Sequence, residues 1–359
     1  MFFSVIIPVY NVEKFIARGM ECLDRQTFRD FEVIMVDDGS TDGSSALLDE
    51  LKMSHDNVRV FHQANAGTGP SRNLGIEKAR GEFILFYDID DLLRPDALTK
   101  IAEIIEKYYP DVAVFSYTEV CPALKTRNDF RMPDLVLSSN RDVRDIYIEH
   151  LSGIRFNNGY VWNKVYRREF LNVNQLRFKP LRMQQDEVFN LDVYPLVNSM
   201  VLSSVITYDY YVYQIGNVSS SLNKQRPEIM IAVRDAFFNL AMRWELSHND
   251  LLTYIHSRFI CGYIINSLER DIFSEQFSSK CSERLQYIRR LIYNPAFSES
   301  VQYLSSNKYL PRTFFNKLYF KSAYSKSAVK LYIIAYIKLR VNKVKKLLRK
   351  GFNIFMLKK

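Results

Sequence analysis

Short apolar runs and amphipathic stretches take turns along the first 120 residues. Ser4–Tyr10, Phe31–Val36, Val58–His62, Phe83–Tyr87 and Val112–Tyr117 are too short for helices and too continuous for half-exposed strands. They predict strands covered on both faces. Between them, Val12, Phe15, Ile16, Met20 and Leu23 fall at helical spacing behind Asn11, a residue suited to capping a helix. The cluster from Asp37 to Asp42 reads as a turn and cap that opens a helix carrying Leu47, Leu48 and Leu51. Leu98, Ile101, Ile104 and Ile105 mark another helix. This alternation predicts an α/β domain with a mostly parallel sheet. The pattern loosens into a surface excursion from Glu119 to Arg144, with Pro122 and Pro133. Asp142–Leu151 and Asp186–Leu196 then look helical, Val201–Gln214 looks like strand, and everything from Pro227 onward is helical in pattern.

One strand ends in concentrated charge: Phe83–Tyr87 runs directly into Asp88-Ile89-Asp90-Asp91. Open α/β sheets bind ligands at the carboxyl ends of their strands. Carboxylates gathered there repel one another and shift their own pKa values unless a cation neutralises them. Mg²⁺ or Mn²⁺ suits such oxygen ligands, typically one or two carboxylates with substrate phosphates completing the shell. Taken alone, the triplet is either a metal–diphosphate site or ordinary loop and capping chemistry ahead of Pro95.

Composition narrows the class. A chain of 359 residues, 47% hydrophobic and 14% aromatic, has ample material for a buried core in one large or two medium domains, which excludes a disordered protein. Cys22, Cys121, Cys261 and Cys281 are far apart, and the five histidines show no ligand spacing. Reduced thiols, a cytosolic chain and no zinc are expected. The start, Met1 to Pro8, lacks a basic segment and reads as a first strand rather than a signal peptide. No Gly-x-Gly-x-x-Gly follows that strand and no Gly-Lys-Ser/Thr occurs, which excludes dinucleotide-binding and P-loop readings.

The net charge of +9 conceals a division. Residues 300–359 hold fifteen Lys and Arg and no acid, leaving residues 1–299 with 34 basic against 40 acidic residues, or −6. Residues 321–359 also carry interspersed apolar side chains from Val329 to Leu357, and such basic amphipathic stretches lie on anionic bilayers. The longest apolar run, Leu331–Ile337, falls far short of the roughly 20 residues needed to span one. Nucleic acid is the rival polyanion and is set aside. A structural helix with a solvated charged face is the plain alternative.

Four motifs in order, Val5-Ile6-Ile7-Pro8-Val9-Tyr10-Asn11, Val36-Asp37-Asp38-Gly39-Ser40-Thr41-Asp42, Ser71-Arg72-Asn73-x-Gly75-Ile76 and Asp88-Ile89-Asp90-Asp91, resemble the family 2 glycosyltransferases. The likeness continues through Trp162 to Arg168, Asp186 to Asn190, and Tyr210 to Tyr213 leading to Ser219-Ser220. Gln185 stands where members often have Glu, and Gln214 where they often have Arg. The resemblance implies a GT-A fold, a nucleotide-diphosphate sugar donor such as a UDP-sugar, Mn²⁺ or Mg²⁺, and inverting transfer to an acceptor hydroxyl. It implies metal contact by Asp90 and Asp88, and a base pocket of Pro8, Val9 and Tyr10 with Asp38 accepting a base N–H; Tyr10 could equally be a core aromatic. Arg72 would pair with the diphosphate through its planar fork. Asp88 and Ile89 would lie against the donor, Trp162, Asn163 and Lys164 would form an acceptor-side wall, and Glu187 would neighbour Asp186, the catalytic base. The helix dipole is expected to keep Asp186 ionised.

Residues 1–222 are thus expected to form the catalytic domain, 223–320 a helical domain, and 321–359 a membrane-associating tail. An enzyme at the cytoplasmic face of the plasma membrane follows, extending a cell-surface polysaccharide on a lipid-linked acceptor. A non-catalytic scaffold module of a membrane synthesis complex is the alternative.

Overall fold

In a computed structural model, which describes residues 1–151, 159–213, 225–246, 249–274, 277–311 and 313–356, the predicted apolar runs lie side by side. β1 (Phe3–Val9), β2 (Phe31–Asp37), β3 (Val58–His62) and β4 (Phe83–Phe86) are parallel, with β1 between β2 and β4 and β3 outside β2. Every residue of β2 and β4 is buried, as continuous apolar strands require when helices cover both faces. β5 (Leu92–Leu93), β6 (Val112–Cys121), β7 (Thr126–Phe130), β8 (Leu135–Leu137), β9 (Lys164–Arg167) and β10 (Met200–Tyr211) complete one sheet. Its main order is β3-β2-β1-β4-β9-β6-β10-β5. β9 runs antiparallel to both β4 and β6, and β6 pairs parallel with β10, so the long strands share one direction. Their carboxyl ends open on one edge. The expected surface excursion is in part a hairpin, β6 with the largely exposed β7.

The covering helices are α1 (Glu13–Asp24), α2 (Ser44–Ser54), α3 (Thr68–Lys78), α4 (Ala97–Tyr108), α5 (Asn140–Leu151), α6 (Arg168–Val173) and α7 (Gln185–Val193). α1 and α2 cap each other. The Asp42 carboxylate accepts from the amides of Glu13 (3.2 Å) and Ser44 (3.0 Å), while Glu13 accepts from the Gly43 amide at 2.9 Å and the Ser44 hydroxyl from the Val12 amide at 3.0 Å. These are the orphan donors that a helix start must satisfy. Asn11 is not the cap: its φ is 53°, and its side-chain oxygen turns back to accept from the Thr41 amide at 2.7 Å.

The chain divides into Met1–Ile215 and Gly216–Lys359. The boundary expected at residue 222, like Gln214, Ser219 and Ser220, lies outside the described residues. The second unit is helical: α8 (Arg226–Arg243), α9 (Asn249–Ile260), α10 (Cys281–Ile292), α11 (Pro295–Ser306), α12 (Phe314–Tyr324) and α13 (Ala328–Met356). α9 runs on through two wider turns, Cys261–Ile265 and Ser267–Asp271, where buried Asp271 receives both forks of Arg226 (2.8 and 3.1 Å). The first part of the segment expected as a separate tail packs into the second unit instead. Ala328, Leu331 and Ala335 of α13 are buried with Leu268, Ile288 and Leu304 in this unit's core.

Candidate active site

The site is built where β1, β2 and β4 end. Beyond the buried β4, the loop Asp88–Asp91 turns sharply, and its carboxylates meet different fates. Asp91 faces inward, accepting from the Tyr208 hydroxyl (2.9 Å) and the Tyr211 amide (2.7 Å). Burial and neighbouring Asp90 push its carboxyl well above the usual range. Asp91 therefore holds the loop rather than a ligand. Asp88 accepts from Arg72 at 2.8 Å. Asp90 is half-buried, and among the described residues no side chain donates to its carboxylate. Burial first, and the charge of Asp88 second, raise it to about 6.

That combination is a test of whether a divalent cation suits the loop. Burial and the like charge of Asp88 outweigh the lowering pull of Arg18, so a cation would find an Asp90 carboxylate that it can stabilise. No group of three or more His, Cys, Asp or Glu able to cage a metal occurs among the described residues. The donor set fits a Mg²⁺-like ion held by one or two carboxylates with phosphate oxygens completing the shell, not a self-contained protein cage.

Arg72 is the link between the two halves of the site. Gly75 lets α3 close against β1, since an added Cβ would collide with Ile6. Asn73 fixes the next layer, exchanging two 2.8 Å hydrogen bonds with the backbone of Phe178. Between them Arg72 is buried (2% exposed), over the rings of Phe86 and Phe178, with one terminal nitrogen on Asp88 and the other on Asp186. Burial alone would lower its pKa; the two carboxylates outweigh it and raise it. The expectation that this fork faces the diphosphate is corrected, because both tips are already taken by the chain's own carboxylates.

Asp186 sits in the first turn of α7, as expected, with Glu187 beside it. Burial raises the Asp186 carboxyl despite the opposing pull of Arg72. Lys164, on β9, is buried among its own backbone neighbours, donating to the Tyr160 carbonyl and to Asn163 at 3.0 Å. Burial pushes its ammonium down to about 7 against the pull of Asp186.

Other expected contacts also moved. Val9 (0% exposed) and Ile89 (2%) point into the core, where Ile89 fills the space left by Gly19. Trp162 is 6% exposed, stacked on Tyr160, Tyr208 and Tyr210 at 4.5, 4.6 and 5.2 Å between ring centres, so it packs the wall from behind. Tyr160 and Tyr210 are the partly open rings of that stack. Pro8 is half-buried and Tyr10 exposed at the end of β1, which settles the open choice for Tyr10 against a core aromatic. Asp38 is buried, its carboxylate accepting from the Gln63 side chain (2.7 Å) and the amides of Ala66 (2.8 Å) and Gly67 (2.7 Å). Gly67 reaches that position with φ 99°, which favours glycine. Asp38 thus organises the loop before α3 instead of presenting free acceptors to a base.

Four residues hold the acidic loop in contacts that the sequence did not reveal. Tyr208 donates to Asp91; the Tyr211 amide does likewise; Tyr213 and Arg18 both reach the Asp90 carbonyl. The Tyr run from 208 to 213 was visible as strand, and its hydroxyls were the available signal. Arg18 gave none.

Residues 4–173 match the family described as Glycosyl transferase family 2. EpsH of Bacillus subtilis (strain 168), named only provisionally as a glycosyltransferase, is 29% identical over 308 residues, covering 83% of this chain and 85% of EpsH. EpsJ of the same strain, an uncharacterized glycosyltransferase, is 33% identical over 53% of this chain and 55% of its own. The poly(ribitol-phosphate) beta-N-acetylglucosaminyltransferase TarS of Staphylococcus aureus (strain Mu50) is 30% identical over 62% of this chain but only 37% of its own. The chain therefore spans most of EpsH, about half of EpsJ and under two-fifths of TarS. Among solved structures, S. aureus TarS 1–349 in complex with UDP-GlcNAc superposes with TM-score 0.67 at 22% identity, covering 94% and 91% of the two chains. The Pyrobaculum calidifontis mannosyltransferase PcManGT, in complex with GDP-Man and Mn²⁺, gives 0.50 at 14% identity over 95% and 87%.

Proposed function

We propose that this chain, which belongs to glycosyl transferase family 2 and has the GT-A fold, transfers a sugar from a UDP-sugar to a hydroxyl of a saccharide acceptor with inversion, in the synthesis of a cell-surface polymer. The observation that carries the reading is the buried guanidinium of Arg72 joined to Asp88 on one side and Asp186 on the other. It sets a donor-side carboxylate and a base-side carboxylate on either side of one rigid fork. A base oriented by a third group is the arrangement proton abstraction requires.

In the proposed reaction the donor diphosphate lies over the Asp88–Asp91 loop. Asp90, with Asp88, would hold a divalent ion, which when bound supplies counter-charge to the leaving diphosphate. Asp186 takes the proton of the acceptor hydroxyl, and Tyr160 and Tyr210 offer ring faces to the acceptor sugar. Tyr10 and Pro8 stand at the edge where a base would rest. The names of the relatives that act on poly(ribitol-phosphate) support a polymer acceptor. A UDP-sugar at 100 times its Kd, with Mn²⁺, should raise the melting temperature of the chain, since such binding adds about 2.7 kcal/mol to native-state stability. A panel of UDP-, GDP- and TDP-sugars that leaves the melting curve unmoved would sink the reading.

The acceptor is proposed to be lipid-linked, met at the cytoplasmic face of the membrane. Among the described residues no helix is long and apolar enough to cross a membrane. On α13, however, Val329, Ile333, Tyr336 and Ile337 are each 44–50% exposed at positions i, i+4, i+7 and i+8, one stripe opposite the buried Leu331 and Ala335. The absence of any acid after residue 299 disfavours pairing with a second copy of this helix and favours an anionic bilayer. Replacing Ile333 and Ile337 together by Asp should move the chain from anionic vesicles to the supernatant without lowering its melting temperature. Undiminished pelleting of that variant in 0.5 M salt, where the Debye length is roughly 4 Å, counts against the stripe. Truncation ahead of Ala328 is the wrong test, because it removes Leu331 and Ala335 from the core.

A further inference from the structure

The acidic loop is held from a direction that the proposed reaction does not use. Arg18, on α1, donates a terminal nitrogen to the Asp90 backbone carbonyl and, at 2.7 Å, to the Tyr213 hydroxyl. Tyr213 closes the triangle, donating to the same Asp90 carbonyl at 3.2 Å. The guanidinium lies 5.0 Å from the ring centre of Tyr211, which stacks on Tyr213, and Phe15 packs against Tyr213 from the helix side. The Tyr211 amide in turn donates to Asp91. Three segments far apart in the sequence, α1, the acidic loop and the end of β10, therefore converge on one carbonyl.

We infer that Arg18 is a positioning residue for the donor site: with Tyr213 it fixes the main chain of Asp90, and so the direction in which that carboxylate meets the donor diphosphate. The inference rests on the proposed function, since it gives the Asp90 direction a purpose. Sterics and charge argue for a specific role. Phe15 and the two Tyr rings confine the guanidinium, and among the described residues Arg18 forms no ion pair with a carboxylate side chain. A surface arginine kept for solubility would not be aimed at a loop carbonyl. Both bonds leave one terminal nitrogen, so a lysine ammonium could make them, but without the planar group that lies over the Tyr211 and Phe15 rings and holds that nitrogen in place. Without the pair of hydrogen bonds the loop keeps Asp91 anchored and loses the restraint on Asp90, so binding of the donor must supply the ordering itself.

Calorimetric titration of UDP in Mn²⁺, with melting temperatures measured alongside, tests this. Arg18→Met should weaken UDP about tenfold, the effect of losing a charged hydrogen bond, raising the donor KM more than it lowers kcat. Arg18→Lys should restore only part of the loss. Tyr213→Phe, a milder change that keeps the ring, should weaken UDP about threefold with an unchanged melting temperature, and the Arg18→Met/Tyr213→Phe double variant should be little worse than Arg18→Met, because both act on one carbonyl. UDP affinity within twofold of native for Tyr213→Phe and for a folded Arg18→Met overturns the inference alone. If Arg18→Met does not fold, Tyr213→Phe decides by itself. A native chain that binds neither UDP nor GDP overturns the proposed function and this inference with it.

Discussion

Asp90→Ala should leave a folded chain that no longer transfers sugar, with turnover reduced by roughly 10²–10³ or more, the range seen when one preorganised charge-stabilising group is lost. The change removes a half-buried carboxylate to which no described side chain donates, so little of the fold depends on it. Indeed, taking away a like charge beside Asp88 and Asp91 relieves repulsion, and the melting temperature without ligand should stay level or rise. The same electrostatics set the acid behaviour of the native chain. Burial and Asp88 raise Asp90 to about 6, so donor binding should fall as the pH drops through that value and the carboxylate takes up a proton. Chelation of divalent ions should mimic the substitution, and Asp90→Ala should be indifferent to chelator. Native turnover that persists in excess chelator, together with an active Asp90→Ala variant, would remove Asp90 and the cation from the reaction.

The part of this site that the sequence exposed is the part that is local. Phe83–Tyr87 followed by three carboxylates places a buried strand and its charged end within nine consecutive residues, and neither needs knowledge of the rest of the fold. Asp186 in a first helical turn is local in the same sense. What the local pattern could not show is which partners several side chains meet. Arg72 has the fork expected of a phosphate ligand, but the sheet brings Asp186 to it from 114 residues away, and a buried guanidinium must pair with what surrounds it. Trp162 has a face suited to sugars, yet β9 lies between two strands, and Tyr208 and Tyr210 from a neighbouring part of the sheet cover it. Arg18 could not be found at all: it is one polar position on an amphipathic helix, and its partner Asp90 lies 72 residues on. The helical tail misled for a related reason, since composition averages over a helix whose opposite faces do different things.

Asp186→Asn carries the other large effect. A general base contributes roughly 10²–10⁴ to turnover, and the amide keeps the shape and one acceptor oxygen while losing the ability to take a proton. Donor affinity should therefore remain near native while kcat collapses. The pH profile distinguishes this from a structural loss. Burial raises the Asp186 carboxyl above its ordinary value of about 3.9, against the lowering pull of Arg72, so the acid limb of kcat should lie above that value in the native chain. Arg72→Met removes the lowering influence and should carry the limb to still higher pH, with kcat at a fixed neutral pH reduced because less of the base is ionised. Glu187 is the competing assignment, one residue along and about 100° around the helix. If Glu187→Gln loses turnover while Asp186→Asn keeps it, the base is the neighbour, and the bridge through Arg72 only orders the site. Should both variants stay active with an unmoved acid limb, α7 does not hold the base, and the fork of Arg72 joins two carboxylates of which only Asp88 faces the chemistry.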